Sequence, residues 1–304
     1  MTAALSFAAL LLALFLGLRW YEQQSMYYPT HDIVRTPADA GLPFEDVSLA
    51  TVDGETLHGW WVPSGLPDAR VVLFFHGNGG NVSHRLEKLA VFRALGADTL
   101  IMDYRGYGRS SGTPSEQGMY RDARAAYQWL LTTRRASPDR IVVYGESLGS
   151  AVAVHLASEV QTGGVVVESG FTSVPDIAQK RLPVFPVRWV LKHKFDTLAK
   201  VPQINAPLLI LHSREDELFE MSHPERLLAA AQPPKRLVEL QGGHNDAFLV
   251  SADTYRHALA TFLGEVAPTP AAARTLEPGR YHDRHHHPQH RRPSHHSVSL
   301  HRHR

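Results

Sequence analysis

The sequence predicts an α/β fold with a doubly wound, mostly parallel central sheet. Across residues 44–264, short apolar runs rich in Val, Ile and Leu alternate with amphipathic stretches of helical period. Runs that are apolar at every position indicate strands buried on both faces, as in a parallel sheet. Strands and helices that alternate this often are typical of a sheet covered by helices on both sides. The 304 residues are enough for one large domain of this kind.

The predicted elements follow in order along the chain. Residues 44–52 and 56–62 alternate in period two, which predicts an antiparallel hairpin around Asp53-Gly54. Buried strands are predicted at residues 71–75, 99–102, 141–144, 165–167, 208–211 and 237–240. Helices are predicted at residues 83–95, 116–133, 148–159, 224–231 and 252–263. In such a sheet, the chemistry lies in the loops that follow the carboxyl ends of the strands.

A G-x-S-x-G motif, residues 145–149, lies between a predicted strand and a predicted helix. Its small flanking residues permit the sharp turn that pushes the Ser147 hydroxyl out of the backbone. The same turn leaves the next N–H group, that of Leu148, free at the N-terminus of the helix. This context indicates a nucleophile rather than a helix-capping serine.

A serine nucleophile needs a base, and the base needs an acid that orients it. Asp216 and His244 follow the last two predicted strands, so the chain order is Ser, Asp, His. Glu215 and Glu217 are alternatives to Asp216, although surface solvation suits them better. The remaining polar residues of these loops are assigned other roles: packing for His212 and a helix cap for Asp246.

The oxyanion hole needs two N–H donors aimed at the charge that develops on the substrate. Leu148 is expected to supply one donor. The other is expected from the glycine-rich loop at residues 76–81, with Asn78 as the donor and Gly77 as the alternative. His76 is expected to brace this loop rather than to act as a base.

Two further segments border the expected cleft. Residues 103–112 are glycine-rich but lack the Lys-Ser/Thr ending of a P-loop, so a tight loop at the edge of the active-site floor is expected. Residues 171–206 are the sizeable insertion before the strand that carries the acid. They predict a short lid over an acyl pocket and hence a fairly open cleft.

Together, five motifs resemble the α/β-hydrolases of the bud-emergence type: His76-Gly-Asn-Gly-Gly-Asn81, Asp103-Tyr-Arg-Gly-Tyr-Gly108, Gly145-Glu-Ser-Leu-Gly149, Glu168-Ser-Gly-Phe171 and Gly243-His244. The resemblance covers residues 26–263, and this branch is similar to acyl-protein thioesterases and dienelactone-hydrolase-like enzymes. It implies an α/β-hydrolase fold with Ser147, Asp216 and His244 as the catalytic triad. It also implies a serine hydrolase that cleaves carboxylic esters or thioesters through an acyl-serine intermediate, with no cofactor or metal.

Two rival functions are weighed against this one. A serine peptidase on the same scaffold usually carries a large helical cap, and no insertion of that size is present. A non-catalytic binding protein with a hydrolase fold predicts that a triad residue is missing, and none is.

The N-terminal segment predicts a single-pass membrane anchor over residues 1–25. Residues 3–18 are apolar and uncharged, and Trp20 and Tyr21 suit the headgroup layer. A cleaved signal peptide is disfavoured because no basic residue precedes the run and no clear cleavage site follows it. A buried N-terminal helix is the other alternative. We therefore expect a hydrolase domain at residues 26–265, held to the bacterial inner membrane, with membrane lipid as a partner.

The C-terminal segment, residues 266–304, is rich in His, Arg and Pro and predicts a disordered tail. It holds seven Arg and two acidic residues, so the basic balance belongs to the tail and does not argue for nucleic-acid binding. Its nine His residues allow opportunistic binding of Zn or Ni as an alternative to a functionless tail. The chain has no Cys, which excludes disulfides, a Cys nucleophile and thiolate metal sites.

Overall fold

The computed structural model, which describes residues 2–184 and 186–266, is built around an eight-stranded sheet. Its strands are β2 (Glu45–Ala50), β3 (Thr56–Val62), β4 (Val71–Phe75), β6 (Asp98–Met102), β7 (Ile141–Glu146), β8 (Gly164–Glu168), β9 (Leu208–Ser213) and β10 (Lys235–Leu240). Their order across the sheet is β10-β9-β8-β7-β4-β6-β3-β2. Strand β3 is antiparallel to both of its neighbours, and the other pairs are parallel. The predicted mostly parallel sheet and the predicted hairpin are confirmed.

Helices cover both faces of this sheet. They are α1 (Thr2–Met26), α2 (Leu86–Ala94), α3 (Glu116–Thr132), α4 (Leu148–Glu159), α5 (Val174–Arg181), α6 (Val187–Val190), α7 (Thr197–Lys200), α8 (Ser222–Ala230), α9 (Ala247–Val250) and α10 (Ala252–Glu265). Side chains of successive residues in a strand point to opposite faces of the sheet, so neighbouring residues of β4 pack against different helices. Leu73 belongs to the core cluster that contains α3 and α4, whereas Phe74 belongs to the cluster that contains α2 and α10.

The unbroken apolar strands form because each side chain is buried, whichever face it points to. All five residues of β4 are buried, and so are the five of β8. Burying one such side chain contributes roughly 1.5–3 kcal/mol relative to leaving it in water. The edge strand β2 instead alternates between exposed and buried residues over its second half. The central strands are therefore packed on both faces, and Ser147 follows β7, which lies between β4 and β8.

The predicted single-pass anchor is wrong. Within residues 2–184 and 186–266, no helix combines the length and the apolar character that crossing a bilayer requires. The apolar run of α1 is cut short inside the same helix by Arg19 and Glu22, and the Glu22 carboxylate is buried against the lid segment. The inner-membrane placement depended on this anchor and is wrong for the same reason. The expected lipid partner also depended on the anchor and is not supported.

A two-stranded parallel sheet ties the segment after α1 to the glycine-rich loop. Its strands are β1 (Tyr28–Pro29) and β5 (Gly79–Gly80). The lid predicted at residues 171–206 contains the short helices α5, α6 and α7. The tail predicted at residues 266–304 lies outside the described residues from residue 267 onward, and with it the possible metal binding by its His residues.

Candidate active site

Four loops meet at the carboxyl ends of neighbouring parallel strands. The glycine-rich loop follows β4, the G-x-S-x-G turn follows β7, and the segments that carry Asp216 and His244 follow β9 and β10. These strands are close together in the sheet, so their ends lie along one edge. Ligands bind at this edge in open α/β sheets, which makes it the candidate site.

The G-x-S-x-G turn holds Ser147 in a strained backbone conformation. Its φ is +52° and its ψ is −119°, a region that non-glycine residues rarely adopt. Close packing makes the flanking glycines necessary. A Cβ on Gly145 would lie 2.3 Å from the Gly149 oxygen, and one on Gly149 would lie 2.1 Å from the Phe75 oxygen. The turn therefore packs directly against the neighbouring backbone, and helix α4 begins at the next residue, Leu148.

The structure brings Ser147, His244 and Asp216 into a hydrogen-bonded chain. Ser147 Oγ lies 2.9 Å from His244 Nε2, and His244 Nδ1 lies 2.7 Å from Asp216 Oδ2. Because a carboxylate only accepts, Nδ1 donates its proton and leaves Nε2 free to accept from the Ser147 hydroxyl. This tautomer is the one that a general base needs.

The Asp216 carboxylate is held as an anion in this arrangement. Its other oxygen, Oδ1, accepts hydrogen bonds from the N–H groups of Leu218 at 2.9 Å and Phe219 at 2.8 Å. Burial alone would raise the pKa of Asp216, but the hydrogen bonds from His244 and these N–H groups outweigh it. The pKa therefore lies below its usual value, so the carboxylate is charged at neutral pH.

The two other histidines of these loops stand outside the chain. The ring of His76 is fully buried, and its Nδ1 donates to the Gly77 oxygen at 2.7 Å. The ring of His212 is also buried, and its Nε2 donates to the Phe219 oxygen at 2.7 Å. Burial lowers the pKa of His212, which favours the neutral form. Both rings hold loop backbone, in agreement with the roles expected of them.

The acidic alternatives to Asp216 contact the loop of the candidate base, His244, rather than its ring. Three carboxylates each accept a hydrogen bond from one of three successive N–H groups: Glu215 from Gly242 at 3.0 Å, Asp246 from Gly243 at 2.6 Å and Glu217 from His244 at 2.9 Å. Surface solvation was expected for Glu215 and Glu217, and the structure gives them this additional contact. The sequence offers no signal for it, because the pairing depends on how two loops meet.

The candidate oxyanion donors line the same cavity as Ser147. Leu148 is the first residue of α4, where helix N–H groups point outward and attract negative charge. The Asn78 side chain donates to the Met26 oxygen at 2.7 Å and accepts from the Tyr107 hydroxyl at 2.9 Å, which fixes its loop from two sides. The alternative, Gly77, lies against the candidate nucleophile, since a Cβ there would be 3.5 Å from the Ser147 Cβ.

A buried ion-pair network beneath the turn was not predicted from the sequence. Lys88 of α2 is 4% exposed, and its Nζ lies 2.8 Å from Glu146 Oε2 and contacts Glu168 Oε2. Burial alone would raise the pKa of Glu146, but the positive charges of Lys88 and Arg85 outweigh it and lower the pKa. Both carboxylates belong to motifs that the sequence displays, whereas Lys88 looks like an ordinary surface residue of an amphipathic helix.

A cavity of about 880 Å³ opens above Ser147 and His244. It is wide enough for a ligand of drug size. The lid supplies much of its apolar lining, and the last two turns of α1 supply part of the rest. Within residues 2–184 and 186–266, no cluster of His, Cys, Asp and Glu is arranged to hold a metal ion.

Known proteins are similar to this chain in sequence. A family model described as alpha/beta hydrolase fold matches residues 70–189. The chain is 33% identical over 255 residues to the alpha/beta hydrolase domain-containing protein WAV2 of Arabidopsis thaliana, which covers 77% of this chain and 82% of that protein. It is 32% identical over 281 residues to protein bem46 of Schizosaccharomyces pombe, which covers 86% of this chain and 91% of that protein.

A solved structure gives the same result for the fold. An esterase of Pyrococcus furiosus superposes with a TM-score of 0.66 at 22% identity, and the match covers 79% of this chain and 97% of the esterase. These similarities confirm the predicted fold class and the resemblance to proteins of the bud-emergence type. The similarity to acyl-protein thioesterases stays a prediction.

Proposed function

Because the chain belongs to the α/β-hydrolase family, we propose that it is a serine hydrolase that cleaves carboxylic esters or thioesters through an acyl intermediate on Ser147. The hydrogen-bonded chain from Ser147 through His244 to Asp216 supports this proposal most directly. Its position at the base of a cavity with an apolar lid adds to it, because an acyl group needs an apolar place to bind.

The proposed acylation step moves one proton and exchanges one bond. Ser147 Oγ attacks the carbonyl carbon of the substrate while His244 Nε2 takes the hydroxyl proton. The bond from that carbon to the leaving oxygen or sulfur then breaks, and His244 returns the proton to the leaving group. Asp216 keeps its charge throughout and stabilises the imidazolium that forms between the two transfers.

Deacylation repeats the step with water as the nucleophile. His244 takes a proton from water, the hydroxide attacks the acyl carbon, and the carbon–oxygen bond to Ser147 breaks as the proton returns to Oγ.

In both acylation and deacylation, the carbonyl oxygen of the substrate becomes negative. We assign the backbone N–H groups of Leu148 and Asn78 to stabilise it, with Gly77 as the alternative to Asn78.

Labelling with a fluorophosphonate, together with a panel of p-nitrophenyl esters and acyl thioesters, tests the proposal. The wild-type protein is expected to be labelled and to hydrolyse members of the panel. Ser147→Ala is expected to lose both while keeping the wild-type circular dichroism spectrum and melting temperature. Labelling of Ser147→Ala at the wild-type rate would reject Ser147 as the nucleophile.

His244 and His76 are both buried, and they provide a matched pair of substitutions for identifying the base. His244→Ala is expected to lower kcat by a factor on the order of 10³ or more, because the members of such a chain act as a unit. His76→Ala is expected to lower the melting temperature instead, since it removes a fully buried ring. A folded, inactive His76→Ala beside an active His244→Ala would show that the base is misassigned.

A further inference from the structure

The last two turns of α1 form a wall of the cavity above Ser147. Leu18, Tyr21, Glu22, Ser25 and Met26 all line it. These positions are spaced by three and four residues, so they share one face of the helix. Gln24, on another face of the same turn, is exposed and is not among the lining residues. Residues that precede the hydrolase fold in sequence therefore contribute directly to its cleft.

The lid lines the same cavity with an apolar surface. Its contribution comes from Val174, Ile177, Leu182, Val187, Val190 and Leu191. Leu18 and Met26 extend this apolar lining onto α1. Charged groups are also present, among them Arg85 and Glu146, which lie close to the nucleophilic turn. The cavity thus combines an apolar region, large enough for a hydrocarbon chain, with a polar region beside the nucleophile.

Specific hydrogen bonds hold α1 in this place. The Glu22 carboxylate is 7% exposed and accepts hydrogen bonds from the backbone N–H groups of Lys192 and His193, each at 2.8 Å. On the opposite side, the Asn78 amide donates to the Met26 oxygen at 2.7 Å. The end of α1 is therefore bonded both to the lid and to the loop that carries a candidate oxyanion donor.

We propose that the last two turns of α1, with the lid, form the binding site for a medium- or long-chain acyl group and set the chain length that the enzyme accepts. This inference rests on the proposed function. An acetyl group would leave most of the 880 Å³ empty, whereas a longer chain would fill the apolar part. Each methylene that leaves water for such a surface is expected to raise kcat/KM by a factor of about four.

Ser25 and Gln24 offer a matched pair of substitutions. The Ser25 hydroxyl donates to the Tyr21 oxygen of its own helix at 2.7 Å, so its replacement breaks no bond between α1 and the lid. Ser25→Trp places a large ring in the cavity, and Gln24→Trp places the same ring in solvent on the adjacent position. Both variants carry the same new side chain in the same turn of α1, so a difference in their chain-length preference reports the cavity.

The measurement is kcat/KM for p-nitrophenyl esters from acetyl to hexadecanoyl, on the full chain. The wild type is expected to prefer longer chains, and Ser25→Trp is expected to lower the ratio of the dodecanoyl to the acetyl value by about tenfold or more. Gln24→Trp is expected to keep the wild-type ratio. A flat wild-type profile, or an unchanged ratio in Ser25→Trp, would overturn the inference.

A second variant covers the case in which Ser25→Trp does not fold. Leu18→Ala shortens a side chain in the same wall, which enlarges the cavity, and is expected to shift the preferred acyl chain to a longer one. An unchanged preferred chain length would count against the inference.

Fluorophosphonate labelling distinguishes a failure of this inference from a failure of the proposed function. A labelled enzyme with no chain preference overturns this inference alone, whereas a wild type that neither labels nor hydrolyses any ester overturns the proposed function as well.

Discussion

The Glu217 carboxylate accepts a hydrogen bond from the backbone N–H of His244 at 2.9 Å. This hydrogen bond lowers the pKa of Glu217, so the side chain is anionic at neutral pH and carries its charge next to the loop of the candidate base. Glu217 contacts neither Ser147 nor the His244 ring and is a positioning residue, since any effect on the reaction passes through the His244 backbone.

We expect Glu217→Ala to lower kcat about threefold to tenfold with little change in KM, because the loss of one hydrogen bond lets the His244 loop move. Glu217→Gln keeps an acceptor oxygen and is expected to recover most of the activity. Steady-state kinetics of both variants, with melting temperatures as the control for folding, make the comparison. Equal losses in the two variants would mean that the hydrogen bond does not position His244.

The Asp216 carboxylate is expected to make the stability of the fold depend on pH. Its pKa is lowered in the folded protein, so its contribution is fully present above its unfolded pKa of about 3.9 and is lost as the pH falls through the folded value. Asp216→Asn should therefore be less stable than wild type at neutral pH, by on the order of 1–2 kcal/mol. The difference should shrink as the pH falls below about 4.

Urea unfolding of wild type and Asp216→Asn at intervals from about pH 7 to pH 3 measures this difference in stability. A stability difference that stays constant, or that grows toward acid, would contradict the lowered pKa of Asp216.

Asp216→Asn should also lose activity by a factor on the order of 10³–10⁴, because an amide facing His244 Nδ1 favours the tautomer that cannot accept the serine proton.

Removal of the Lys88 ammonium group is expected to destabilise the protein strongly. Lys88→Met leaves Glu146 and Glu168 without their shared cation, and breaking a buried pair in this way costs about 3–5 kcal/mol. The double variant Lys88→Met/Glu168→Gln should recover part of the loss, because it removes one of the two stranded charges. Chemical denaturation followed by circular dichroism gives the three free energies of unfolding.

An exposed ion pair nearby serves as the control for Lys88. Arg35 and Glu87 are both about half exposed and lie 3.1 Å apart. Arg35→Met should cost less than about 1 kcal/mol, since exposed pairs contribute little. Similar losses for Lys88→Met and Arg35→Met would show that burial of the lysine is not what matters.

The central strands could be predicted closely from the sequence because their signal is local. The run Val71–Phe75 matches β4 residue for residue, since a strand buried on both faces needs an apolar side chain at every position. The positions of Ser147, Asp216 and His244 followed from the same runs, because each comes shortly after a strand ends. Their mutual distances of 2.9 Å and 2.7 Å come from the structure.

The role of α1 could not be predicted because its determining contacts are remote in sequence. The local pattern of residues 3–18 does not show that the end of the same helix is bonded to the lid. That contact is made by Glu22, and its partner N–H groups lie 170 and 171 residues away. Lys88 was missed for the same reason, because Glu146 and Glu168 lie 58 and 80 residues further along the chain.

The origin of the cavity walls has a consequence for how such a protein can diverge. The hydrogen-bonded chain lies on the segments that follow β7, β9 and β10, whereas much of the apolar lining of the cavity comes from α1 and the lid. Substitutions at the cavity-lining positions of those two segments alter the shape of the cleft and leave the strand ends that precede Ser147, Asp216 and His244 unchanged. Proteins with this architecture can therefore differ in the ligands that they accept while they keep the same hydrogen-bonded chain.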